Sequence, residues 1–202
     1  MSRPVQRDLR RFNPAIVGKL EAQMWRSYYA GRHLRLAREL AQMLRRQHHL
    51  SVLQSWVGAY HGAVAAFTFK AGKQGSDYRN ALPSLLAYFH LIRRTGNILF
   101  DVQRAATLEL AWWIVHRDRA HYPPGAVGSA CAEAAAAVYQ LPLDATREHG
   151  RLRAAAMLLR DSREEAGGVS AADWRAVESL LRQSYQALSS AVQDPGAASA
   201  QE

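Results

Sequence analysis

The chain has 202 residues, 49% of them hydrophobic, which suits one domain with a sizeable core and excludes a disordered chain. Its single cysteine, Cys131, excludes a disulfide framework and a cysteine-cluster metal site. Alanine fills 36 positions against 20 for Val, Ile and Thr together, which argues against a β-rich fold, and the net charge is +9, with 16 cations and only 5 acids in residues 1–101.

Residues 1–12 read as an N-terminal arm without an apolar run long enough for a signal peptide. Asn13-Pro14 opens a first helix to about Ala30, with Ile16, Val17, Leu20, Met24 and Tyr28 on one face. After Gly31, a second helix over about 32–48 turns Leu36, Leu40, Met43 and Leu44 inward. Ser51 caps a third helix that ends near Ala71, with Leu53, Trp56, Val57, Tyr60, Val64 and Phe67 as its apolar side. Residues 50–69 carry no formal charge, yet Gln54, Ser55, His61 and two glycines make a poor membrane span, so a buried interior helix is expected there. The loop at Gly72–Gly75 leads to a fourth helix with Leu85, Tyr88, Phe89 and Ile92. Gly96 separates it from a fifth over about 97–120, the most apolar element, which stops at Pro123-Pro124. A sixth helix is Ala-rich (126–140). A seventh spans 144–165, and an eighth starts at Ser170 with Asp173 in the capping position. Residues 194–202 read as a disordered tail. The pattern predicts a single-domain all-α bundle of seven or eight helices over 13–193, with neighbours antiparallel because the loops are short.

Familiar catalytic signatures are missing. The chain has no phosphate-binding Walker loop, GxGxxG, HExxH or GxSxG, no EF-hand loop, and none of the acidic repeats of helical terpenoid enzymes. A helix-turn-helix around residues 39–51 fails because the helix after it is apolar, whereas a recognition helix presents polar side chains to base edges. The stretches ELAWW (109–113), LRAAAMLLRD (152–161) and DWRAVESLLRQSYQAL (173–188) look like those of small bacterial helical proteins and imply no activity.

One residue breaks the helical pattern. On a wheel of the fifth helix, Glu109 falls within the apolar face formed by Ile98, Val102, Ala105, Ala106, Trp112 and Trp113, and His116 follows on that face two turns on. An unpaired buried carboxylate is costly, so Glu109 requires a partner, a raised pKa or a ligand. Glu21 lies at the edge of the first helix's stripe beside Val17, Met24, Trp25 and Tyr28. His61, His149 and Arg153 border other apolar faces. The expected site is an internal small-ligand pocket formed by Glu21, Tyr28, Glu109, Trp112 and His116, in a binding or regulatory protein. An alternative is a metal- or carboxylate-dependent enzyme using Glu21, Glu109, His116 and His61. Its layout is similar to a ferritin-like di-metal bundle, but the Glu-x-x-His pairs of that family are missing. A third is a basic adaptor for nucleic acid, an acidic partner or anionic membrane, using a strip of Arg26, Arg32, Arg35, Arg38, Arg45 and Arg46. No transmembrane segment and a cytoplasmic setting are expected. His48-His49 reads as a helix C-terminus favoured by imidazolium, and Cys131 as a small core residue.

Overall fold

A computed structural model describes residues 7–193. Eight long helices make the fold: α1 (Pro14–Tyr29), α2 (His33–Gln47), α3 (Val52–Ala71), α5 (Leu82–Thr95), α6 (Val102–Arg117), α7 (Ala126–Tyr139), α8 (Leu143–Glu165) and α9 (Ala171–Gln193). A one-turn α4 (Gly75–Tyr78) links α3 to α5, and short 3-10 turns lie at Arg79–Ala81 and Arg119–His121. The protein is an all-α multi-helix bundle, with no strand among the described residues beyond an isolated Arg7–Gly96 bridge.

The caps explain the boundaries. The Asn13 side chain accepts from the Ile16 amide, and Ser51 with Gln54 forms a capping box. Ser170 and Asp173 exchange the same pair of bonds at the start of α9. The fifth predicted helix begins later than expected, at Val102, because the Asp101 side chain takes the Arg104 amide and stops extension toward Gly96. It also ends earlier, at Arg117.

Packing follows chain order. α1 packs on α2, α2 on α3, α3 on α5, and so on to α8 on α9, and α9 returns to α1. The eight long helices therefore form a closed ring. Two glycines bring backbones together at its joints. A Cβ on Gly18 would stand 2.7 Å from the Arg182 backbone, where α1 meets α9, and one on Gly150 would stand 2.7 Å from the Ala132 amide nitrogen, where α8 meets α7.

The first half of α3 sits in the ring opposite to expectation, while Val64 and Phe67 of the expected face are half-buried, Phe67 against Tyr28 and His33. Leu53, Trp56, Val57 and Tyr60 face outward, while Ser55, Gly58, Ala59 and Ala65 are buried. The small face turns inward because α2 and α5 close on it: Leu44 and Leu91 approach Gly58, and Leu40 and Tyr88 approach Gly62. α3 is thus a wall helix and not a buried interior one. Among the described residues, no helix is long and apolar enough to cross a membrane.

The expected N-terminal arm is packed from Arg7 onward. Leu9 is fully buried and Phe12 nearly so, and the Leu9 amide donates to Asn97 Oδ1. The 194–202 tail lies outside the described residues.

Candidate functional site

The ring surrounds a partly open cavity of about 520 Å³, and every one of its eight long helices contributes to the lining. All five residues of the expected pocket, Glu21, Tyr28, Glu109, Trp112 and His116, line it. His61 does not. Among the described residues, no three His, Cys, Asp or Glu side chains cluster as a metal would require, so Glu21, Glu109, His116 and His61 form no donor set.

The centre holds two carboxylates and one guanidinium. Glu21, expected at the edge of its stripe, is fully buried. Arg153 reaches it from α8 across the inside of α9, donating Nε and Nη2 to Glu21 Oε1 at 3.1 and 2.6 Å. The same guanidinium lies over the Trp112 ring, 4.6 Å from its centroid. Glu109 is served by a neutral donor, the Trp113 indole N–H at 3.1 Å. Burial raises the Glu109 carboxyl above its usual range, and the Arg153 cation opposes that rise only in part. Two buried atoms here lack a hydrogen-bond partner among the described residues: Glu21 Oε2 and Trp112 Nε1.

Tyrosines and histidines complete the wall. Burial holds the Tyr88, Tyr139 and Tyr185 hydroxyls protonated, Tyr139 being pushed up to about 12. His149 Nδ1 lies 3.1 Å from the Ser184 carbonyl oxygen. The Ser184 hydroxyl lies 2.8 Å from the same nitrogen and 2.8 Å from the His149 carbonyl oxygen; with the hydroxyl donating to that carbonyl, Nδ1 carries the imidazole proton. Burial pulls His149 down to about 4, with the Arg153 charge adding to the effect, so the ring is neutral. His48 falls to about 3 because it is buried beside His49. The imidazolium expected at this helix end is therefore absent at His48, whose ring lines the cavity as a neutral group with Nδ1 unpaired. Cys131 also lines the cavity, and burial pushes its thiol up to about 12, which fits an inert core residue.

The two ends of the cavity differ. At one, Gln47 donates to the Tyr139 hydroxyl at 3.0 Å, joining α2 to α7 across the ring. At the other, His116 Nε2 lies 2.9 Å from Asp161 Oδ2, beside Arg119 and Arg160. Burial would raise the Asp161 carboxyl, but the His116 and Arg160 hydrogen bonds and the Arg119 charge hold it low. Lys70 covers the Tyr28 ring there, and Arg160 covers Tyr29.

Sequence reasoning placed His149 and Arg153 only beside apolar faces and Tyr88 only among the apolar residues of its own helix. Their convergence depends on ring closure, which no single helix wheel contains.

The six strip arginines are all exposed, and Arg35 is bonded to Glu39 at 2.8 Å. Arg45 and Arg46 border a surface groove between α1 and α2 together with Lys19, His49 and Arg182; Arg182 is paired with Glu178. Comparisons with family models, curated proteins and solved structures gave no significant match.

Proposed function

We propose that the ring is a binding or regulatory module that holds a small molecule in its interior, centred on Glu21, Glu109 and Trp112. One observation carries this reading: a cavity lined by all eight long helices, with two carboxylates and several buried polar atoms without partners among its lining residues. Helical bundles that exist only as scaffolds fill their centres to crystal-like density and pair their buried polar groups. Pockets for small molecules combine an apolar wall with a few polar groups, as here.

The test is native mass spectrometry of the purified protein beside its Ala135→Leu variant, together with thermal melts against a small-molecule library. Ala135 lines the cavity, so the longer side chain occupies free space. The expected result is a ligand or a melting shift in the wild type that the variant loses while keeping its helical signal. No ligand and no shift in the wild type would overturn the reading.

A second reading keeps the basic half as a contact surface for a polyanion. It is supported by the α1–α2 groove, whose lining contains cations and no acid.

A further inference from the structure

Charge at the centre of the cavity is unbalanced. Glu21 and Glu109 bring two carboxylates, and Arg153 brings one cation that is already committed to Glu21 through two hydrogen bonds. Glu109 accepts from the Trp113 indole N–H, and the neighbouring Trp112 indole, also a neutral donor, lowers its carboxyl too, so no cation is committed to it. The other titratable groups facing Glu109 are the Tyr88 hydroxyl and the Cys131 thiol from α5 and α7, while Tyr185 of α9 faces Glu21 and Arg153, and burial keeps all three uncharged. The wall beside it is aromatic, with Trp112 and Trp113 edge to face at 6.0 Å. Aromatic faces attract cations, and the Arg153 guanidinium over Trp112 already uses that attraction.

We propose, on the reading of the cavity as a ligand site, that its occupant is an organic cation: an ammonium or amidinium on an apolar body, with Glu109 as counter-charge. An anionic ligand at the centre would meet two carboxylates and an arginine already engaged; of the other lining cations, Arg119 is paired with Asp161 and Glu165 and Arg117 is bonded to the Phe69 and Gly72 carbonyls, which leaves Lys70 over the Tyr28 ring. A neutral ligand would bring no counter-charge to Glu109. Burial raises the Glu109 carboxyl above its ordinary value, so a proton competes with the cation for it as pH falls. Cation binding weakens in that direction.

Three probes of similar shape test the charge: 2-phenylethylammonium, 2-phenylethanol and 3-phenylpropanoate, titrated against tryptophan fluorescence and by calorimetry. The cation binds the wild type about tenfold or more tighter than the alcohol, the scale of one charged hydrogen bond, and the carboxylate binds weakest. In Glu109→Gln the preference for cation over alcohol collapses toward unity, with circular dichroism showing that the variant is folded. Affinity for the cation falls more steeply with decreasing pH in the wild type than in Glu109→Gln. Equal or tighter binding of the alcohol or the carboxylate overturns the cation assignment and leaves the cavity reading standing. A preference that survives intact in Glu109→Gln also overturns it. If none of the three binds, the cation assignment falls, while the ligand screen on Ala135→Leu decides the cavity reading separately.

Discussion

Glu21 and Glu109 line one cavity and respond oppositely to losing their charge. Glu21→Gln leaves Arg153 as an uncompensated buried cation and should cost about 3–5 kcal/mol, read as a lower denaturant midpoint. Glu109 holds its proton more tightly in the folded chain than its ordinary value of 4.5. The stability from that proton is complete below the ordinary value and is lost as pH rises through the folded one. Glu109→Gln has nothing to lose, so it should melt at or above the wild type at pH 8, with the gap closing near pH 4. A large destabilisation by Glu109→Gln at pH 8 would show that the carboxylate is a structural anchor. The buried histidines have the opposite sign. His48 and His149 fall from 6.5 to about 3 and about 4, so the unfolded chain binds protons that the folded chain refuses. Stability should therefore fall as pH drops below 6.5, by up to about 1.4 kcal/mol per pH unit for each group, and His149→Gln should flatten the slope. Glu109 was legible in the sequence because a lone carboxylate interrupts an apolar face. Its tyrosine and arginine neighbours were not, since each looks like ordinary core or flank on its own helix.

At the scale of the helix, caps were legible and faces were not always so. Asn13, Ser51 and Ser170 mark starts because a side-chain oxygen next to a polar-then-apolar run has one good use. α3 shows where that reading stops. Both of its faces are apolar, so periodicity alone chose the larger side chains as the buried ones. Close approach by Leu40, Leu44 and Leu91 selected the glycine and alanine face instead. Trp56→Glu should therefore change stability by no more than about 0.5 kcal/mol, as for a surface site, despite removing a tryptophan. Gly150→Ala should be far worse. Its new methyl would meet the backbone of α7, which cannot yield as a leucine tip can, so a loss of several kcal/mol is expected in urea unfolding. If Trp56→Glu is the more damaging of the two, the orientation of α3 in the ring is wrong.

For the whole molecule, helix number and order could be read from glycine, proline and capping residues, but ring closure could not. It rests on contact between the first and last long helices, α1 and α9, and no local pattern encodes that pairing. Closure is also what makes an interior, turning residues from eight separate stripes into one wall. The outside of the ring carries the charge asymmetry. Lys19, Arg45, Arg46 and His49 share a groove, whereas Arg26, Arg32, Arg35 and Arg38 do not line it, and Arg35 is bonded to Glu39. A cationic surface of this kind attracts any polyanion through counterion release, without reading sequence. Binding to a duplex, a single strand and heparin should therefore be weak, similar for all three and lost at high salt. Each phosphate contact contributes about 0.7–0.9 to the slope of log affinity against log salt, so Arg45→Ala with Arg46→Ala should flatten it by up to about two units. A salt-resistant preference for one polymer, abolished by that double substitution, would make the groove a specific site and the basic half the functional one.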